Sequence, residues 1–122
     1  MDFRETQPIY MQIADYVCEQ ILSGRWKTGE RVLSVRELGA ALEVNPNTVL
    51  RAYDFLQNMD IIANKRGIGY FIEENAENHI LNFRKERFFK EELPDIFKNM
   101  QLLRIQMNEI EDAYILNENE II

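Results

Sequence analysis

Asn47, Thr48 and Arg51 sit close together on a segment whose apolar residues, Val49, Ala52, Tyr53, Leu56 and Met59, recur at helical spacing. At about 100° per residue, Asn47, Arg51, Asp54 and Asn58 fall on the side opposite that apolar stripe. A carboxamide and a guanidinium on an exposed helix face offer paired donors and acceptors that fit the edges of adenine and guanine in a major groove. The Thr48 hydroxyl is short enough to approach a base beside them. Arg36, Lys65 and Arg66 place positive charge elsewhere along the same stretch, suited to phosphates or to a neighbouring minor groove. Gly67 follows them and permits close backbone approach.

These residues need scaffolding, and the sequence supplies it. Ile9, Ile13, Val17 and Ile21, four residues apart, predict a first helix with Pro8 in its first turn and Ser23-Gly24 as its stop. After a turn over 24–31, Ser34 and Glu37 have the spacing of a capping box and open a second, short helix with Leu38, Ala41 and Leu42 on its apolar face. Glu43-Val44-Asn45 breaks it before Pro46. Asn45 is the expected N-cap of the third helix and Pro46 its first residue, where the missing amide hydrogen costs nothing. Residues 61–72 then read as two short β-rich runs around a Lys-Arg-Gly tip. Helix, helix, tight turn, polar-faced helix and hairpin make a winged helix-turn-helix.

The tail differs in charge and in pattern. Net charge is −1 over residues 1–72 and −6 over 73–122, within a total of −7. The polar stretch Glu73–Asn78 marks the change, so the expected organisation is a DNA-binding domain over 1–75 and a helical tail over 76–122. Ile96, Met100, Leu103, Met107, Ile110 and Tyr114 follow a 4-3-4-3-4 spacing, a heptad seam opened by Leu93 and Pro94. Ile80, Leu81, Phe83, Phe88 and Phe89 indicate a shorter helix ahead of it. The tail is thus expected to be an α-helical hairpin whose seam pairs two copies of the chain. The fold class is mainly α with a small β-hairpin.

Composition removes several classes of function. Fourteen Lys and Arg against twenty-one Asp and Glu exclude a generally basic protein that coats nucleic acid, so local charge decides. A single cysteine, Cys18, and a single histidine, His79, exclude an internal disulfide and leave too few ligands for an ordinary zinc site. Cys18 is expected to be a buried thiol and His79 a solvated boundary residue. No cofactor is implied and no catalytic nucleophile with a histidine partner is present. Gly67-Ile68-Gly69 lacks the third glycine and the helix of a dinucleotide site. No apolar run approaches the length of a membrane span, and the polar N-terminus argues against a signal peptide, so a cytoplasmic protein is expected.

Five segments together resemble the GntR family of bacterial transcription regulators. They are Pro8-Ile9-Tyr10, Gly29-Glu30-Arg31, Ser34-Val35-Arg36-Glu37-Leu38, Val44-Asn45-Pro46-Asn47-Thr48-Val49 and Gly67-Ile68-Gly69-Tyr70-Phe71. The resemblance implies DNA contacts at Arg36, Asn45, Asn47, Thr48, Arg66 and Gly67. It departs at Leu50, where many relatives have arginine, and at Leu33, where many have proline. The Asn-Pro-Asn-Thr version, with a short C-terminal part, looks like the YtrA-type subfamily of small dimeric regulators. The expected function is therefore a sequence-specific transcription regulator, by resemblance a repressor. It would bind duplex DNA with an inverted repeat as a homodimer, with Arg51 and Lys65 added to the contact set. With about fifty residues beyond the wing, no separate effector fold is expected, and the sequence identifies no effector. The acidic balance supports one rival, a winged-helix dimer that binds a protein partner without touching DNA.

Overall fold

The computed structural model describes residues 7–121. Its elements run α1 (Ile9–Leu22), α2 (Val35–Leu42), α3 (Pro46–Asn58), β1 (Ile62–Lys65), β2 (Gly69–Ile72), α4 (Ala76–Arg87), a π-helical turn (Phe88–Glu92), α5 (Leu93–Leu103) and α6 (Met107–Ile121). The described residues fall into two compact units that divide between Phe83 and Arg84. The contacts thus part later than the polar stretch at 73–78. Ala76 and Ile80 are fully buried in the N-terminal core, and the Phe83 ring meets Phe55 edge-on at 5.7 Å.

The first unit is built around α3. Ile13, Val17 and Ile21 of α1 bury the face that their spacing predicts, with Ala14 and Cys18 beside them. Ile9 departs from that face: it is 47% exposed, since α1 begins there. Pro8 precedes the helix and lends its carbonyl to the amides of Met11 and Gln12. In α2 the capping box forms in full, the Ser34 Oγ accepting from the Glu37 amide at 3.1 Å and the Glu37 carboxylate accepting from the Ser34 amide at 2.9 Å. Leu38 is buried, whereas Ala41 faces solvent. Val49, Ala52, Tyr53 and Leu56 of α3 are completely buried, the stripe that helical periodicity requires.

The turn between α2 and α3 depends on a glycine. A β-carbon on Gly39 would lie 2.9 Å from the Val44 carbonyl oxygen and 3.4 Å from the Pro46 ring, both fixed by the turn. Glu43 supplies the left-handed residue that ends α2, at φ 56°. The Val44 amide then returns to the Gly39 carbonyl at 2.9 Å.

The hairpin pairs antiparallel, from Ile62 with Ile72 to Lys65 with Gly69. It has a third, minimal partner in the segment expected to be only a turn. Arg31 bridges Phe71, the Val32 amide donates to Tyr70 and the Ile72 amide to Glu30. The wing is thereby stitched to the linker between α1 and α2. Tyr53 adds a second tie: its hydroxyl donates to the Leu33 carbonyl at 2.6 Å, and its ring meets Tyr70 edge-on at 4.9 Å. His79 is half-buried, with Nδ1 2.9 Å from the Asp60 carbonyl oxygen, so the partly solvated boundary residue also ties α4 to the turn after α3.

In the second unit the seam expected on one helix is divided between two. Arg104 adopts the left-handed conformation at φ 57°, and the Ile105 amide folds back to the Met100 carbonyl at 2.8 Å. The Gln106 amide then donates to the Glu109 carboxylate at 2.7 Å, capping α6. Ile96, Met100 and Leu103 therefore belong to α5, and Met107, Ile110 and Tyr114 to α6. Met100 is buried by its own chain, while the other five are exposed. The helix ahead of the seam also differs, because a π turn at Phe88–Glu92 separates α4 from α5.

Tyr53→Phe removes the bond to Leu33 and leaves a carbonyl short of its donor. The expected loss is about 1–2 kcal/mol in urea denaturation. Burial above all, then Tyr70 and Glu37, pushes the Tyr53 phenol far above its ordinary value of 10.0. The folded state keeps a proton that the unfolded chain releases above that value, so this contribution is complete below pH 10 and declines as pH rises further. Stability measured between pH 9 and 11 should fall less steeply in Tyr53→Phe than in the native chain.

Candidate nucleic-acid interface

The amino end of α3 is held open by its cap. The Asn45 Oδ1 accepts the Asn47 amide at 2.8 Å, so the Asn45 oxygen serves the helix and its amide group stays available. Asn47 and Arg51 are exposed and Thr48 is half-buried. Two shallow concavities flank this helix end. One, of about 340 Å³, brings Asn45, Asn47, Thr48 and Arg51 together with Pro8, Ile9 and Tyr10. The other, of about 280 Å³, brings Arg36 to Asn45 and Asn47, with Val35, Pro46 and Leu50 between them. Side chains from α1, α2 and the turn before α3 thus converge on α3's first two turns. Leu50, where many similar sequences carry arginine, is 40% exposed among them.

Lys65, Arg66 and Gly67 form a separate locus at the hairpin tip and line neither concavity. All three are exposed, and Gly67 turns the chain at φ 79°. The Lys65 ammonium lies over the Phe71 ring, 4.4 Å from its centroid. Arg51 is held in a similar way, its guanidinium carbon 4.1 Å from the centre of the Tyr10 ring. A charge over an aromatic face is attracted by the ring's quadrupole without a carboxylate taking up its N–H donors.

Arg31 is a bracing residue of the wing that residue-by-residue reading passed over. Its Nε donates to the Ile68 carbonyl at 3.2 Å, which fixes the wing tip, and its Nη2 stands 4.0 Å from the Glu37 carboxylate. Gly69 makes room for it, since a β-carbon there would meet Arg31 Nε at 2.8 Å. The signal was the Gly29-Glu30-Arg31 segment, which carried the resemblance without any assigned role. Glu37 is kept below its ordinary pKa by its bonds with Ser34, backbone first and then side chain, with Arg31 adding to the effect. The capping contact therefore persists at neutral pH and weakens as pH falls through that lowered value.

Short helix, tight glycine turn, capped polar helix and stitched hairpin define a winged helix-turn-helix DNA-binding domain. The chain belongs to the GntR family: the profile for bacterial regulatory proteins of the gntR family matches residues 9–72. It is 34% identical to the HTH-type transcriptional repressor YtrA of Bacillus subtilis over 92% of this chain and 85% of that protein. It is also 34% identical to YhcF of the same organism, an HTH-type transcriptional regulator, over 88% of each. Among solved structures, a GntR-family regulator from Bacteroides thetaiotaomicron superposes with a TM-score of 0.75 at 41% identity, covering 94% of this chain and all of that one. Because the likeness to YtrA runs through the helical tail, the chain is of the YtrA type. It is a sequence-specific DNA-binding transcription regulator, and the rival reading as an adaptor that ignores DNA gives way.

Arg31→Ala should loosen the wing tip alone. Amide exchange at Ile68, whose amide bonds the Lys65 carbonyl at 2.9 Å, is expected to quicken. Amides in the middle of α3 should exchange as before. Unchanged exchange at Ile68 would show that the hairpin holds its shape without Arg31.

Proposed function

We propose that the chain acts as a cytoplasmic homodimeric repressor that binds an inverted-repeat operator. The observation that carries this reading is the amino end of α3, where Asn47 and Arg51 are exposed and Thr48 is half-buried, with Arg36 beside them. In the major groove, Asn47 and Arg51 read base edges and Thr48 touches a base or its phosphate. Arg36 and Asn45 bind backbone oxygens, and Lys65, Arg66 and Gly67 follow the wing to the neighbouring groove. Repression is supported by the likeness to YtrA, described as a repressor. No helix among the described residues is long and apolar enough to cross a membrane.

The winged helix-turn-helix carries the reading, and the apolar seam of α5 and α6 carries the pairing. Ile96, Leu103, Met107, Ile110 and Tyr114 are between 37% and 69% exposed, an apolar surface that water disfavours. A second copy covers it, and Met100, already buried by its own chain, lies in the same seam. Two-fold pairing sets two α3 helices about 34–36 Å apart, one turn of DNA.

Fluorescence anisotropy against DNA from upstream of the protein's own coding sequence tests the contacts. Arg51→Ala should lose about 1–3 kcal/mol on specific DNA. Arg66→Ala should weaken all sequences alike and reduce the salt slope by about one. An unchanged affinity in the double variant removes the contact assignment. Replacing Leu103 and Met107 together by glutamate should give a monomer in sedimentation, with affinity collapsing because one half-site binds weakly. A variant that still sediments as a dimer places the interface elsewhere.

A further inference from the structure

Arg51 leaves the exposed side of α3 and lies across a ring of a different helix. Its guanidinium carbon is 4.1 Å from the Tyr10 ring centre, and Tyr10 itself is packed against the core at the start of α1. Both line the same concavity as Asn47 and Thr48. Among the described residues no carboxylate is paired with Arg51. That choice of partner matters chemically. A carboxylate would occupy the N–H donors along one edge of the guanidinium, and those are the donors needed for the O6 and N7 atoms of guanine. An aromatic face engages only the flat side of the group, so orientation is set while the edge stays open.

We propose that Tyr10 is a positioning residue for base recognition: its ring holds the Arg51 guanidinium flat so that its edge meets a guanine in the major groove. The inference rests on the reading of Arg51 as a base contact. Tyr10 acts through Arg51, and its own contribution is to reduce the rotamer freedom that a long side chain would lose on binding. The effect therefore belongs to discrimination at one base pair, and non-specific affinity is untouched.

The test uses the full chain and a duplex selected from random-sequence DNA by the native protein. Arg51→Ala, assayed on that duplex and on variants with each base pair exchanged, identifies the pair that Arg51 reads. At that pair, Tyr10→Leu should cut discrimination roughly two- to fivefold, the worth of an exposed cation–π contact. Tyr10→Phe, which keeps the ring, should retain it. Affinity for non-specific DNA, the salt slope and the thermal midpoint should change little in either. In the Arg51→Ala background, Tyr10→Leu should have no further effect. If Tyr10→Leu weakens binding equally with and without Arg51, Tyr10 contacts DNA or supports the fold by itself, and the proposal fails. If it tightens binding, the ring withholds Arg51 from DNA, and the proposal also fails. Should Arg51→Ala alter discrimination at no position, the base contact itself is wrong and Tyr10 has nothing to position.

Discussion

The hydroxyl of Tyr53 reaches the Leu33 carbonyl at 2.6 Å from within a fully buried side chain, and three parts of the N-terminal unit depend on that placement. The ring comes from the reading helix, its oxygen holds the linker ahead of α2, and its edge meets Tyr70 in the wing. A phenol so deeply buried must find a partner or lose the hydrogen bond it had in water. The carbonyl it reaches lies just before the capping box that starts α2. The need to satisfy one hydroxyl therefore fixes where the second helix begins relative to the third. A leucine at 33 serves as well as the proline of many relatives, because the contact uses the backbone.

Much of this architecture was legible because local chemistry and tertiary packing agree. Ser34 with Glu37, and Asn45 with Pro46, are start signals with a definite mechanism, and both helices begin where those residues require. The buried stripe of α3 follows its 3.6-residue period, and its polar side is exposed. What escaped notice lacks a local signature. Arg104 ends α5 in a left-handed conformation more usual for glycine, so the heptad pattern ran on through a break. The pairing of Arg31 with Phe71 involves a single bridge, too short for an alternating pattern. The bond from His79 to Asp60 joins residues distant in sequence, and the π turn at Phe88–Glu92 follows from no residue preference that a reading of types could detect.

The candidate site was legible in composition and less so in the contacts that hold it. Asn47, Thr48, Arg36 and the Lys65-Arg66 tip were evident as polar and basic groups on elements able to present them. The roles of Arg31, Tyr10 and Gly69 were not, because each acts on another residue: one pins a carbonyl, one lies beneath a guanidinium, and one vacates space. Overall charge was a poor guide. Much of the chain's negative charge lies away from the reading helix and wing, with −6 over residues 73–122 against −1 over 1–72.

Both Arg51 and Lys65 rest on aromatic rings, and neither is paired with a carboxylate among the described residues. A cation held in an ion pair must surrender that partner before it can meet a phosphate or a base, and added salt alters that exchange. Cations resting on rings have no such competitor to shed. The ionic strength of the medium then acts chiefly on the counterions condensed around the DNA. Were these two side chains to meet DNA as proposed, their share of the salt dependence would report the counterions displaced from the DNA, with little contribution from ion pairs broken inside the protein.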